Sequence, residues 1–376
     1  MTPDDGLVLA DRAARGEARL KIIDCDVHHA LRSAADLKPF LATRWQEHLD
    51  RYGFRVPTPF LSSPQYPKGA PALSRTDSWP PNGGPPGSDL AFLREQLLDR
   101  WGISFGLLHF LFPGAMDQRN QSFGNALARA LNEWQVEHWT RHERRLKAGI
   151  ILPGEDADAA VAEIEHWAGH TTAGGGDFVQ VALATHTIEL LGRRRYWRIY
   201  EAAAAAGLPL CLHTMGYNGR AVTPAGWPSF YVEEHHEVAI SQQTVVASLI
   251  LEGVLERIPD LKVVIVEAGF AWVPGFAWRL DHYWSRFRDE LEHVTRPPSE
   301  TIRERFWFTC QPADEPEKPE QLRQTMDWMG WDRLLFATDY PHWDMDNPEH
   351  AFRMPMSDEE KRMVFAGNAE RVYGLS

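Results

Sequence analysis

The chain has 376 residues, of which 44% are hydrophobic and 24% charged, the composition of a folded globular protein with one large domain or two ordinary ones. Its formal net charge of −13 argues against nucleic acid or an anionic membrane as a partner. A small anionic substrate is not excluded, because a local cation can override the global charge.

The cysteines and the first residues bear on the cellular location. Cys25, Cys211 and Cys310 fall inside predicted strands, which is typical of reduced, buried thiols rather than of a disulfide framework. Residues 1–20 are predicted to be a tail, since they are charged and lack the apolar core of a signal peptide. No apolar run approaches the roughly 20 residues that span a bilayer. We therefore predict a cytoplasmic protein that has no membrane partner.

The first predicted strand, Leu20 to Val27, ends in polar side chains. Asp24, Asp26 and His28 alternate with apolar residues, so they are predicted to point to one face of the strand. Burying three such groups is costly unless a cation or hydrogen bonds compensate. A solvated strand end is the simpler interpretation of this segment taken alone.

An insertion of about residues 31–100 follows this strand. It begins with a predicted helix, Ala34 to Tyr52, and continues into a stretch rich in Pro, Gly and Ser, Pro57 to Asp89. Long irregular loops are usually functional or disordered. We interpret this one as a lid or a subunit contact, although a Pro-rich linker has the same composition.

Strands and helices alternate through the rest of the chain. Seven more strands are predicted, at Ile103–Phe110, Leu146–Leu152, Phe178–Leu183, Leu208–His213, Leu261–Glu267, Phe306–Cys310 and Leu334–Asp339. Apolar runs such as Val263–Val266 are typical of parallel strands buried on both faces. The eight units predict an α/β fold, a distorted (β/α)8 TIM barrel over residues 21–376. An open doubly wound sheet is less well supported, because the turn after the first strand, Val27 to Ala30, contains no Gly.

Four of the predicted strands end in side chains that bind metals. The residues are Asp26 with His28, then His213, Glu267 and Asp339. The carboxyl ends of barrel strands converge on one face, so distant residues can share one ion. Mixed imidazole and carboxylate ligands suit Zn²⁺ or Mn²⁺. Each residue alone is more often an ordinary strand end, and the prediction depends on their joint occurrence.

With these strand ends, the chain resembles the decarboxylase branch of the amidohydrolase superfamily, the group that includes aminocarboxymuconate-semialdehyde decarboxylase. The matching pieces are Asp24-x-Asp26-x-His28, Pro209-x-x-x-His213, Gly253-Val254 with Pro259-Asp260-Leu261-Lys262, Asp339-Tyr340-Pro341-His342, and Gly367-Asn368-Ala369 with Tyr373. The resemblance covers residues 21 to 376. It implies a distorted barrel, a small-molecule substrate that is a carboxylic acid, and a homo-oligomer of two or more subunits.

The resemblance also implies the ligands of one divalent metal, with Zn²⁺ expected first and Mn²⁺ second. They map onto Asp26, His28, His213 and Asp339, with an acidic residue at the first position as a variant of the branch. The chain departs from the family pattern at Glu267, where a catalytic His is usual. Glu267 would serve as acid or base if burial raised its pKa, or would orient a histidine.

The remaining candidates are assigned from their positions. The predicted catalytic residues are Asp339, Glu267 and His342. The predicted substrate-binding residues are Trp272, His236, His186 and Arg94. For His236 and its neighbour His235, a solvated helix start is the competing interpretation. For Arg94, it is a surface ion pair.

The function expected from this site is non-oxidative decarboxylation of an aromatic or unsaturated carboxylic acid, with Asp339 supplying the proton. Hydrolysis of a lactone or amide by an activated water at the same site is the alternative. A barrel that has lost catalysis is the third hypothesis, and the Glu at position 267 is the feature in its favour.

Overall fold

Eight parallel strands form one sheet, which follows the chain order. The computed structural model describes residues 20–53, 73–111, 115–116, 118–172, 175–213 and 221–376. The sheet strands are β1 Ile22–His28, β2 Ile103–His109, β3 Leu146–Ile151, β6 Phe178–Ala184, β7 Leu210–His213, β8 Val263–Ile265, β9 Phe306–Thr309 and β10 Leu334–Leu335. A separate antiparallel hairpin, β4 Thr171–Thr172 and β5 Gly175–Gly176, lies between β3 and β6.

The sheet closes on itself between its first strand and the segment that follows β10. The backbone N–H of Cys25 donates to the carbonyl of Phe336 at 2.9 Å, and that of His28 to the carbonyl of Tyr340 at 2.7 Å. Asp339 donates in the other direction, to the carbonyl of Asp26 at 3.0 Å. These bonds make the sheet a barrel, so the predicted (β/α)8 fold is confirmed.

Helices cover the outside of the barrel. The α-helices are Thr43–Tyr52, Leu90–Leu93, Gln121–Gln135, Ala157–Trp167, Trp197–Ala205, Tyr231–Leu251, Val254–Arg257, Val273–Arg286, Pro298–Arg305, Pro319–Met329, Asp358–Arg362 and Asn368–Tyr373. Shorter 3-10 or π-helical turns are Ala34–Phe40, Arg94–Asp99, Val136–Thr140, Arg194–Tyr196, Trp331–Arg333 and Met363–Gly367. Within the part of the chain that the structure describes, no helix combines the length and apolar character needed to cross a bilayer.

The insertion after β1 is only partly described. Its predicted helix is present as the turn Ala34–Phe40 and the helix Thr43–Tyr52. Residues 57–72, about half of the Pro/Gly-rich stretch, lie outside the described residues, as do residues 1–19 of the predicted tail. Where that stretch is described again, Ser74 bridges to His342 and the N–H of Arg75 donates to the carbonyl of Pro341. This part of the insertion therefore lies at the carboxyl end of the barrel.

A β-bulge in β1 corrects the predicted alternation of polar residues. Asp24 pairs with Gly106 and Val27 with Leu108, so between these two pairs β1 contains one residue more than β2. Such an extra residue shifts side chains to the other face. Asp24 consequently does not point with Asp26, and its carboxyl accepts from the N–H of Thr338 at 2.9 Å and from its hydroxyl at 2.6 Å. The prediction that Asp24, Asp26 and His28 share a face is wrong for Asp24.

The contact between Asp24 and Thr338 is predicted to stabilise the barrel closure. Both residues are fully buried, and burial raises the pKa of the Asp24 carboxyl to about 7. Thr338→Val removes the hydroxyl donor and leaves a buried carboxyl short of one partner. We expect a loss of about 2 kcal/mol in the free energy of unfolding, measured by urea titration. The exposed Thr244→Val is the control and is expected to change it by less than about 0.5 kcal/mol. Equal stability of the two variants would contradict this role.

Candidate metal centre

The carboxyl ends of the strands bring metal-binding side chains together as the sequence predicts. Asp26, His28, His213 and Glu267 are buried, and their potential ligand atoms lie within 4.8 Å of one another. His28 also belongs to a second group with Asp339 and His342, defined by the same distance. The two groups together form what we call the metal cluster.

His28 is oriented for coordination through one ring nitrogen. Its Nδ1 lies 3.1 Å from the carbonyl oxygen of His109, an arrangement that places the proton on Nδ1. Its Nε2 faces Asp339 Oδ1 at 2.7 Å and Asp26 Oδ1 at 3.2 Å. Burial lowers the pKa of His28, which favours the neutral ring. A neutral Nε2 would then oppose two carboxylate oxygens, an arrangement that requires a proton or a cation between them.

Asp26 shows the same need for a positive charge. Both of its carboxylate oxygens are buried, and neither has a hydrogen-bond partner among the described residues. His213 Nε2 lies 3.5 Å from Asp26 Oδ2 and 3.2 Å from Glu267 Oε2. A buried carboxylate whose nearest polar neighbours are the ring nitrogens of His28 and His213 is costly unless a proton or a cation compensates. The donors present thus fit a divalent metal ion.

Two carboxylates of the cluster occupy strained backbone conformations. Glu267 has a φ of 55° and Asp339 a φ of 62°, in the left-handed region that residues with a Cβ rarely adopt. The Glu267 N–H donates to the hydroxyl of Thr309 at 3.1 Å, which helps to hold this turn. Strain of this kind is often found at functional sites. Here it aims both carboxylates into the barrel mouth.

The Glu267 carboxylate lies within 4.8 Å of the potential ligand atoms of Asp26, His28 and His213. It was expected to act as acid or base, or to orient a histidine, and its carboxylate lies with those of the ligand candidates. Burial raises its pKa to about 7. Direct coordination, the role that the strand-end pattern indicates, therefore stays open to Glu267 beside the roles that the family pattern suggests.

Asp339 is held on both of its oxygens. Oδ1 lies 2.6 Å from His342 Nδ1, and the His342 ring stacks on His28 with centroids 4.4 Å apart. Oδ2 accepts from Gln311 Nε2 at 3.1 Å. Burial and the nearby negative charges, Glu267 first, raise the pKa of Asp339. His342 is thus placed to exchange a proton with Asp339.

Two residues of the site were missed from the sequence. His109 ends β2, and its ring centroid lies 5.3 Å from that of His213. The strand-end rule used for the other ligands would have found it. Gln311 follows the strand β9 and was overlooked because a neutral amide is not a usual metal ligand.

Trp272 does not lie in the barrel mouth. Its indole N–H donates to the carbonyl of Ala268 at 3.0 Å, and its ring meets Phe308 edge-on with centroids 5.8 Å apart. Phe308 belongs to the apolar layer between the sheet and the helices. The expected stacking of Trp272 on a substrate is therefore corrected.

Arg94 is also distant from the metal cluster. Its Nε donates to Glu143 Oε2 at 2.7 Å, and Glu143 in turn bonds Arg145. Arg145 immediately precedes β3, so this ion-pair network lies at the amino end of the barrel, opposite the site. The surface ion pair is the correct interpretation of Arg94.

The two remaining substrate-binding candidates follow strands at the carboxyl end. His186 comes after β6, and its Nε2 lies 2.8 Å from the carbonyl oxygen of Val222. His236 lies in the helix Tyr231–Leu251, where a turn of about 100° per residue separates it from its neighbour His235. It is His235 that reaches the region of the cluster, with Nε2 3.0 Å from Asp344 Oδ2.

The chain belongs to the amidohydrolase family, whose profile matches residues 23–375. This confirms the family expected from the strand-end motifs.

Individual relatives share about a fifth of their residues with this chain. Gamma-resorcylate decarboxylase of Polaromonas sp. is 23% identical over 304 residues, which cover 77% of this chain and 88% of the relative. The 5-carboxyvanillate decarboxylase of Novosphingobium aromaticivorans, solved with manganese, has a TM-score of 0.71 at 17% identity and covers 96% of this chain and 99% of its own. Dihydroxybenzoic acid decarboxylase of Polaromonas sp., solved with manganese and 2-nitroresorcinol, has a TM-score of 0.64 at 19% identity, with 95% and 97% covered.

Proposed function

We propose that this protein is a metal-dependent, non-oxidative decarboxylase of an aromatic carboxylic acid. The observation that carries the proposal is the buried cluster of Asp26, His28, His213 and Glu267 beside the pair Asp339–His342. Such a cluster offers ligands for one cation and a proton-bearing pair next to it. The named relatives act on resorcylate, carboxyvanillate and dihydroxybenzoate, which supports the reaction class.

Asp26, His28, His213 and Glu267 would hold one divalent metal, and Asp339 would complete the set. When bound, the ion would neutralise the substrate carboxylate and draw electron density from it. With Glu267 included, carboxylates make up much of the donor set, and carboxylates suit Mn²⁺ better than imidazole-rich sets do. We therefore propose that the metal is Mn²⁺, and we place it ahead of Zn²⁺, the ion expected first from the sequence.

The reaction requires one proton. The bond between the ring carbon and the carboxylate breaks, CO₂ leaves, and the electron pair that stays on the ring carbon takes a proton. Asp339 is proposed to deliver that proton, because its carboxyl lies among the ligand candidates. His342, with Nδ1 2.6 Å from Asp339 Oδ1, would resupply it. Burial of both side chains excludes bulk water from the transfer.

The test is product analysis with the Mn²⁺-loaded protein. We would incubate it with 2,6-dihydroxybenzoate, 5-carboxyvanillate and related hydroxyaryl acids, and measure released CO₂ and the remaining aromatic product. One CO₂ for each substrate consumed is expected. Ring opening of a lactone or cleavage of an amide, with all carbon retained and no CO₂ from any acid, would favour the hydrolase alternative.

Glu267→Gln tests the role of the residue that departs from the family pattern. The amide keeps the shape of the side chain but loses its charge, so a direct ligand role predicts Mn²⁺ binding weakened by more than about 100-fold, beyond the effect of a residue behind the ligands. The Mn²⁺ affinity is measured by isothermal titration calorimetry. The exposed Glu165→Gln is the control. Unchanged Mn²⁺ affinity with lost turnover would assign Glu267 to proton transfer instead.

Other expectations remain proposals. A homo-oligomer is proposed, and the exposed Trp278, Tyr283 and Phe287 on and after the helix Val273–Arg286 offer an apolar surface for a subunit contact. A cytoplasmic location is likewise proposed.

A further inference from the structure

Three aromatic rings form a group beside the metal cluster, and we call it the aromatic wall. It consists of Tyr231 and His235 from the start of one helix and Trp343 from the segment after β10. The ring centroids of Tyr231 and His235 are 5.8 Å apart, those of His235 and Trp343 6.1 Å, and those of Tyr231 and Trp343 6.2 Å. The Trp343 indole N–H donates to the Tyr231 hydroxyl oxygen at 3.1 Å, which joins the two elements.

Short contacts connect the wall to the metal cluster. Gln311 Nε2 donates to Asp339 Oδ2 at 3.1 Å and to Asp344 Oδ2 at 3.2 Å. Asp344 Oδ2 in turn lies 3.0 Å from His235 Nε2. The amide orientation is fixed by chemistry, because both neighbours of its nitrogen are carboxylates that accept. The wall therefore has a defined position relative to Asp339.

The backbone around Trp343 is held while its ring stays accessible. The N–H of Trp343 donates to the carbonyl of Leu73 at 2.9 Å, and the preceding His342 bridges to Ser74. The Trp343 residue is 44% exposed, although it directly follows a buried residue of the cluster. A ring that is anchored at one edge and open on another is suited to stacking.

The wall also contains an imidazole that is paired with a carboxylate. Burial disfavours the imidazolium of His235, but its hydrogen bond to Asp344 and the negative charge of Glu267 outweigh this, so the pKa of His235 is raised. Burial raises the pKa of the Tyr231 hydroxyl, the hydrogen bond from Trp343 lowers it, and the negative charges of Glu267, Asp344 and Asp339 raise it further. Grouped ring faces beside the metal cluster suit a planar aromatic substrate.

We propose that the aromatic wall is the ring-binding face of the active site and that Trp343 selects aromatic acids over aliphatic ones. This inference rests on the proposed function, since it places the substrate carboxylate at the metal cluster and its ring against Trp343. It also moves the stacking role predicted for Trp272 to Trp343, a residue at the barrel mouth.

The experiment compares an aromatic and an aliphatic anion on the Mn²⁺-loaded full chain. Calorimetric titrations with 2,6-dihydroxybenzoate and with malonate would use the wild type, Trp343→Leu and Trp343→Phe. Trp343→Leu should raise the Kd of the aromatic acid by about 3- to 10-fold, the range of one stacking contact, and leave the Kd of malonate within about twofold. Trp343→Phe should restore most of the affinity for the aromatic acid. The exposed aromatic Tyr52→Leu, at the end of the helix Thr43–Tyr52, is the control and should change neither Kd.

Each outcome decides one of the two proposals. An unchanged aromatic Kd in Trp343→Leu, an equal loss for malonate, or wild-type protein that binds malonate but no aromatic acid would overturn the aromatic wall. If Trp343→Leu does not fold, a Kd for Trp343→Phe equal to that of wild type keeps the proposal, and a loss as large as tenfold overturns it. Selective aromatic binding without any CO₂ release would refute the decarboxylase and leave the wall standing.

Discussion

His213→Ala is expected to leave a folded barrel that no longer retains stoichiometric metal or turns over substrate. His213 is the last residue of β7, and its Nε2 lies 3.2 Å from Glu267 Oε2. Loss of a direct ligand costs more than the 10- to 100-fold that is typical of residues behind the ligands, so we expect Mn²⁺ affinity to fall by more than about 100-fold. The fold should persist because the preceding Leu210, Cys211 and Leu212 are fully buried and unchanged.

Elemental mass spectrometry of His213→Ala, purified without chelator, gives the metal content per chain, and circular dichroism verifies the fold. The exposed His166→Ala is the matched control and should keep both metal and activity. A His213→Ala protein that holds one metal per chain would show that His213 is not a ligand.

Asp339→Asn is expected to reduce kcat by about 100- to 10,000-fold, the usual contribution of a positioned proton donor. An amide cannot carry the transferred proton, and it would also place an NH₂ group or a carbonyl against His342 and Gln311. Metal binding should weaken but saturate at excess Mn²⁺, because Asp26, His28, His213 and Glu267 remain.

The comparison is made at saturating substrate and Mn²⁺, so that weaker binding of either does not lower the rate. The control is Asp289→Asn, which changes an exposed carboxylate outside the metal cluster. A kcat within tenfold of wild type would mean that the proton comes from another group, with Glu267 as the first candidate.

The barrel was predictable because its signals are local. Apolar runs mark strands buried on both faces, and the convergence of strand ends follows from parallel topology alone. His28 and His213 could be placed together for this reason, although they are far apart in the chain. The short β10 was predicted too long, since the N–H of Thr338 is bonded by the Asp24 side chain instead of by a strand partner.

Other features depend on neighbours that a single sequence does not specify. The bulge in β1 arises from its register against β2, so the strict alternation of Asp24 and Asp26 gave no sign of it. Trp272 was misplaced because its orientation is set by packing against Phe308. The wall of Tyr231, His235 and Trp343 joins two segments more than 100 residues apart, and no local pattern links them.

The most direct test of this account is the metal content of the wild-type chain, measured by elemental mass spectrometry on protein purified without chelators or a His tag. The account predicts about one divalent ion per chain, with Mn²⁺ retained when it is supplied during growth. A protein that holds no metal, even after soaking in Mn²⁺ and Zn²⁺, would contradict the metal centre and support a barrel that has lost catalysis.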